Sequence, residues 1–253
     1  MSMKKIALSG LALSAMLVAA IAFFGPTPAR AGDAGLTEAQ VKQIVHDYIV
    51  NHPKLIMDSV NNYRFEAANE QAAEGVKKNK KELLSANSPE AGNPNGNVTV
   101  VEFFDYNCHF CKGSYPAVEA LLKDDKNVRF VFKDFPILGP SSIEAAKWAL
   151  AAQKQGKYFA FHTAMMYNRE PITDDLLKSV AKQVGMDVDQ AEKDAEAPSV
   201  MKQLEQNEEL AQQLGISGTP SFVIGNKVDA GILSENQMET QIEEVRASKA
   251  GKQ

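Results

Sequence analysis

Apolar residues follow three rhythms along this chain. Ile6 to Phe24 is a continuous run of apolar or small residues without a charge. Val41, Ile44, Val45, Tyr48 and Ile49 then recur at helical spacing, as do Ile56, Val60, Tyr63 and Ala67 after an interruption at His52-Pro53. Thr37-x-x-Gln40 offers a hydroxyl to a free backbone N–H where the first helix starts, and Pro53 suits the first turn of a second. Beyond Ala68 the pattern turns polar, and Lys77, Lys78, Lys80 and Lys81 read as a solvated helix face. An arm with so little apolar surface cannot fold alone. It packs either on its own domain or on copies of itself, and the apolar stripe favours self-association.

The third rhythm begins after Ser88 to Asn97, whose Pro, Gly and Asn residues mark a linker between an arm over 32–87 and a main domain over 98–253. Val98 to Phe104 is apolar at nearly every position, as expected of a buried strand. The loop Asp105-Tyr106-Asn107 leads to Cys108-His109-Phe110-Cys111, and Val118, Ala120, Leu121 and Leu122 support a helix to about Asp124. Val128 to Phe132 is a second strand, so that strand, helix and strand form a βαβ unit with a parallel pair. A helical block follows over 141–214, in which Tyr158, Phe159, Phe161, Met165 and Met166 are core and His162 reads as a packed histidine rather than a ligand. Ser221 to Ile224 is a third strand, Gly225-Asn226 a hairpin turn, Lys227 to Ala230 a short return strand, and a helix from Ser234 to about Lys249 closes the chain. The fold class is α/β.

Composition narrows the function classes. Of 253 residues, 44% are hydrophobic and 23% charged, an ordinary balance for a globular protein. The formal net charge of −5 carries no basic excess, so no nucleic-acid partner is expected. Lys4 and Lys5 before the first apolar run, and Ala29-Arg30-Ala31 after the break at Gly25-Pro26-Thr27-Pro28, complete the plan of a secretory signal peptide over 1–31. Its 19 apolar residues exceed the usual span of about 7–15, which leaves an uncleaved membrane anchor as the alternative. Cleavage after Ala31 removes three bases and no acid, taking the net charge to −8. The expected location is the periplasm of a bacterial envelope, where thiols can be oxidised.

Only two cysteines are present, Cys108 and Cys111, three apart where a strand gives way to a helix. As a staple their bridge is weak: closing so short a loop is worth roughly 2 kcal/mol, against about 4.7 for a long one. On a helix, residues at this spacing face each other at nearly disulfide separation, so the pair can open and close with little backbone movement. Cys108 at the helix N-terminus meets unpaired N–H groups and the positive end of the helix dipole, which favour a thiolate. A stable thiolate is the attacking nucleophile and the better leaving group, and His109 adds to this when protonated. Cys111, one turn inside, is the resolving thiol. Alternatives are an inert structural pair, or a metal site. A closed zinc site needs about four ligands, and His46, His52, His109 and His162 have no ligand spacing. Two thiolates can satisfy copper(I), so a copper-binding envelope protein stands as the reading from another class.

The order strand, CxxC, helix, strand, helical insertion, then Gly218-Thr219-Pro220 before a strand resembles the DsbA-type branch of the thioredoxin superfamily over about Val98 to Lys249. With the helical arm in front, the chain is similar to the exported ScsC/Com1-like group. The resemblance implies a thioredoxin-like fold with an inserted helical subdomain and an N-terminal helical arm, which makes trimers in some members. Pro220 matches a cis-proline lying against the cysteines, and Thr219 offers backbone groups to an extended substrate. Glu102, charged in an apolar strand, matches a glutamate beneath the cysteines, with Lys133 on the next strand as its expected partner; the alternative is that both point to solvent. Thr219-Pro220 and the aromatic Phe110 lean toward the isomerase members, while His109-Phe110 departs from the dipeptides usual in the family. The implied activity is thiol–disulfide exchange on exported proteins, as an isomerase or general oxidoreductase, with a monomeric DsbA-like oxidase as the other reading. Such chemistry needs no cofactor; its partners are exported substrates and an envelope redox protein.

Overall fold

The computed structural model describes residues 35–251. The leader read over 1–31 lies outside them. Contacts divide the chain into 1–56 and 57–253. In the first unit, helix α1 (Glu38–Asn51) starts from a reciprocal cap: Gln40 N–H donates to Thr37 Oγ1 at 3.3 Å and Thr37 N–H to Gln40 Oε1 at 2.9 Å. No residue of α1 is buried, and Val41, Ile44, Val45, Tyr48 and Ile49 all stand exposed. His52 ends α1, its ring stacked on Tyr48, and Pro53 opens helix α2 (Pro53–Lys78).

In the second unit a short helix α3 (Lys80–Leu83) precedes a five-stranded sheet. Its strands are β1 (Glu90–Gly92), β2 (Val98–Phe104), β3 (Val128–Asp134), β4 (Ser221–Ile224) and β5 (Lys227–Ala230), in the order β1-β3-β2-β4-β5. β2 and β3 run parallel around helix α4 (His109–Asp124), and the other neighbours are antiparallel. Between β3 and β4 stand α5 (Pro140–Lys154), α6 (Tyr158–Tyr167), α7 (Asp174–Gln183), α8 (Val188–Ala195) and α9 (Pro198–Gln213); α10 (Glu235–Ala250) ends the fold.

Both faces of the sheet are covered, which explains why β2 and β3 read as nearly unbroken apolar runs. Val100 and Phe104 of β2 and Phe130 and Phe132 of β3 pack with Cys111, Tyr115 and Val118 of α4, Phe161 of α6 and Ile242 of α10. Val101 and Phe103 of β2 and Val131 of β3 point the other way, toward Val76, Leu83, Leu210 and Leu214. Alternate residues of one strand therefore serve two different cores.

One expectation is corrected here. The stretch 88–97, read as a linker, supplies edge strand β1, in which Glu90, Ala91 and Gly92 pair with Val131, Phe130 and Arg129. Pro89 O and the N–H of Asn93 continue the pairing, to Phe132 N and Val128 O at 2.9 and 2.8 Å. Gly92 has φ 75°, and a Cβ there would stand 2.6 Å from Val128 O, so only glycine fits. Backbone bonds hold this strand without an apolar stripe, which hid it from the hydrophobic pattern.

Candidate active site

β2 delivers the chain to the edge of the core, and Asp105 turns it. Asp105 Oδ1 accepts the N–H of Asn107 at 2.7 Å, and its carbonyl accepts the N–H of Cys108 at 3.0 Å. Helix α4 then begins at His109 with Cys108 as its N-cap. The Cys108 Sγ takes the place of a capping oxygen and accepts the N–H of Cys111 at 3.3 Å. Both cysteines are free thiols. Cys108 keeps 5% of its surface and Cys111 none.

The two sulfurs are electrically unequal. The Cys108 thiol is brought down to about 6, chiefly because the Cys111 thiol donates to it; burial opposes this, and the Thr219 side chain and the backbone N–H groups of Cys111 and Phe110 assist. Cys111 is driven far above the ordinary thiol range by burial, by its bond to Cys108 and by the charge of Glu102. Such a pair has one ready nucleophile and one thiol that ionises only when the chemistry demands it.

Thr219 and Pro220 close the site from the far end of the chain. Their peptide bond is cis, and Thr219 O lies 3.1 Å from Cys108 Sγ. The turn is held by Ser221 Oγ donating to Gly218 O at 2.8 Å and by Gly231 N–H donating to Pro220 O at 2.8 Å. Phe110 stands 62% exposed between the cysteines, its ring edge-on to that of the exposed His109. Ile137, Leu138 and Ile232 are further exposed apolar side chains. Ile232 approaches Gly113 of α4, and Leu138 N–H is bonded to Asp105 Oδ2 at 2.9 Å, so both lie beside the thiol loop.

Glu102 lies on the thiol side of the sheet and is 1% exposed. Burial, and then the charge of Cys108, raise its carboxyl to about 8, and Oε2 has no hydrogen-bond partner among the described residues. Lys133 is not its partner. The parallel register sets Glu102 beside Phe132 and Phe103 beside Lys133, so Glu102 and Lys133 face opposite sides of the sheet. The solvent-facing alternative fails as well, because both are buried. Lys133 Nζ instead donates to Glu82 O and Ser88 Oγ, each at 2.8 Å, and burial pushes it down to about 8.

Of the other polar groups beneath the site, His162 is the packed histidine that the sequence indicated, and Asp134 gave no sequence signal. His162 is fully buried among Phe104, Tyr106, Tyr115, Phe132 and Tyr158. Its Nδ1 is 3.1 Å from Tyr106 Oη, and burial lowers it to about 3, so it is a neutral packed histidine. Asp134 is raised to about 7 by burial and accepts from Tyr158 Oη at 3.2 Å. Among the described residues no three His, Cys, Asp or Glu side chains gather as a metal site would require. No described helix is long and apolar enough to cross a membrane.

A thioredoxin-like fold is the class that this sheet defines, with two cysteines opening the helix between its parallel strands. Within that class the chain belongs to the family of the DSBA-like thioredoxin domain, whose pattern matches residues 99–244. Residues 38–70 match the N-terminal domain of the copper resistance protein ScsC. A thioredoxin-like oxidoreductase from Silicibacter pomeroyi is 42% identical, covering 67% of this chain and 98% of its own, with a TM-score of 0.65. A linker-deletion and point mutant of Proteus mirabilis ScsC is 26% identical, covering 85% of this chain and 99% of its own, with a TM-score of 0.67. The Na(+)/H(+) antiporter NhaA 3 of Salinispora tropica is 29% identical over 132 residues, 51% of this chain. The match spans only 20% of that antiporter's length.

Proposed function

We propose that this protein carries out thiol–disulfide exchange on exported proteins in the periplasm, with Cys108 as the attacking sulfur and Cys111 as the resolving one. The observation that carries the reading is the placement of the two sulfurs: Cys108 Sγ caps α4 and accepts the N–H of Cys111 beside the cis Thr219-Pro220 bond, while Cys111 is fully buried. With Cys108 at about 6, thiolate outnumbers thiol roughly tenfold at pH 7, while Cys111 stays protonated beneath it. In the isomerase direction, the Cys108 thiolate attacks a client disulfide, one client sulfur leaves as thiolate, and a mixed disulfide forms. That client thiolate attacks another client disulfide, and a further client thiolate then expels Cys108 unchanged. If the client stalls, Cys111 gives up its proton and attacks Cys108. The client then leaves with both electrons, and the pair is left as a disulfide that an envelope dithiol partner reduces. In the oxidase direction the same bonds are made in reverse order. Glu102 is the buried group that can exchange a proton with Cys111: its ionised form, a minority at pH 7 with the carboxyl at about 8, takes the proton as Cys111 attacks, and its protonated form returns one when the disulfide opens.

An extended client backbone would pair at Thr219, with Pro220 holding that segment against Cys108. Phe110, Ile137, Leu138 and Ile232 suit unfolded clients, whose apolar side chains are exposed. His109 and Phe110 tune the pair from between the cysteines. Thr219 and Phe110 favour isomerase or general oxidoreductase activity over that of a monomeric oxidase. The uncovered stripe of α1 favours an arm, over 32–87, that joins copies of the chain, ahead of a catalytic domain over 98–253. Copper(I) held by both sulfurs is the reading from another class, and stoichiometric copper binding without exchange activity would select it.

The test is a pair of variants assayed on scrambled ribonuclease and on reduced ribonuclease. Cys108→Ser should abolish exchange at least a hundredfold, and Cys111→Ser should accumulate mixed disulfides with clients. Exchange that persists without Cys108 contradicts the mechanism. Oxidation of reduced ribonuclease without rescue of the scrambled form selects the oxidase reading.

A further inference from the structure

Asp105 does more than turn the chain. It is 1% exposed, and each bond its side chain makes is accepted rather than donated. Oδ1 takes the N–H of Asn107 at 2.7 Å and the hydroxyl of Ser142 at 2.8 Å; Oδ2 takes the N–H of Leu138 at 2.9 Å. These donors come from three places: the thiol loop, the loop leaving β3, and the first turn of α5. Asn107 closes the ring, its Nδ2 donating to Ser141 Oγ and Ser142 Oγ, both at 2.9 Å. The backbone of Asp105 serves the sulfurs: its carbonyl holds Cys108 N–H, and its N–H acts on Cys111 to ease its ionisation.

Three donors around one buried side chain call for a carboxylate, which accepts only. An amide of the same shape has one accepting oxygen. Its NH2 would settle on the side with a single donor, facing Leu138 N–H donor to donor. Leu138 matters because its side chain, 53% exposed beside the exposed Ile137, is one lip of the surface around Cys108. Gly139, at φ 124° and ψ −178°, then turns the chain into α5, with nothing outside its chain neighbours within 4 Å of where a Cβ would stand. Asp105 ties the lip to the thiol loop, while Ile137 N–H on Phe135 O at 3.0 Å and Phe135 N–H on Phe104 O at 2.8 Å tie its base to the sheet.

We propose that Asp105 is a positioning residue that locks the apolar Ile137–Leu138 lip to the thiol loop, so that a client gripped by the lip presents its sulfur to Cys108. The inference rests on the exchange reading above. It assigns the lip to apolar polypeptide clients and leaves small thiols indifferent to it.

The experiment compares wild type with Asp105→Asn, each oxidised and then reduced either by a peptide dithiol with Leu and Phe beside its cysteines or by glutathione. Asp105→Asn is expected to raise KM for the peptide at least fivefold, and to change kcat and the glutathione rate by a clearly smaller factor. Hydrogen exchange at the Leu138 amide should speed up at least tenfold. Equal losses with both reductants, no change with either, or an unaltered Leu138 amide overturns the proposal. Ser142→Ala, which removes one donor and loosens the carboxylate that holds Leu138 N–H, should raise the peptide KM less than Asp105→Asn; should Asp105→Asn fail to fold, Ser142→Ala must still raise it above wild type. If wild type itself fails to exchange, the exchange reading falls, while the Leu138 amide still decides whether Asp105 holds the lip.

Discussion

At the scale of single residues, charge buried without compensation governs the site. Glu102 Oε2 has no hydrogen-bond partner among the described residues, and burial keeps its carboxyl protonated to about pH 8, whereas in an unfolded chain it would lose the proton near 4.5. Between those values the unfolded chain binds fewer protons than the folded one, and stability falls as pH rises through the window. Glu102→Gln removes this loss. It should leave stability at pH 4 nearly unchanged and raise it at pH 8 by on the order of 4 kcal/mol, as read by urea unfolding at both values. The same variant should slow the step in which Cys111 gains or loses its proton. A variant as pH-dependent as wild type would mean that Glu102 is paired or solvated.

At the scale of elements, sequence legibility followed the range over which each feature is specified. The capping box at Thr37, the strand–CxxC–helix junction, the hairpin at Gly225 and the Thr219-Pro220 turn were legible because each is set by residues a few positions apart. β1 was not, because three residues joined by backbone bonds leave no periodic trace. The Glu102–Lys133 pairing failed for a different reason. Two strands can be read from sequence without their register, and the register decides which side chains share a face. Asp105 was noticed only as part of a loop, since Ser142 is 37 positions away and nothing local links them.

The consequence for Lys133 can be measured. It ties the segment carrying Glu82 and Ser88 to the face of the sheet away from the thiols. Lys133→Met should cost about 1–3 kcal/mol in denaturant unfolding, since two acceptors lose a charged donor. The Cys108 titration should not move. A shifted thiol midpoint would restore the link to Glu102 that the register rules out.

At the scale of the whole molecule, the arm and the catalytic domain pose separate questions. In α1 the apolar stripe of Val41, Ile44, Val45, Tyr48 and Ile49 is exposed, a pattern that suits helix-to-helix association between copies. Sedimentation of the chain from residue 32 onward should therefore give an oligomer. Ile44→Glu combined with Ile49→Glu should shift it to monomer without altering reactivity toward small disulfides. A monomer in both cases would return the arm to the role of a local appendage and strengthen the oxidase reading.

The exchange reading depends on Cys108 being ionised at neutral pH. The direct measurement is the ultraviolet absorbance of the thiolate across a pH titration of the reduced protein, with Cys108→Ser as its control. The midpoint should lie near 6, with the reduced folded form losing stability as pH falls through that value, and the transition should vanish in Cys108→Ser. A midpoint at the ordinary thiol value of about 8.5, or a transition that survives the substitution, would contradict the account.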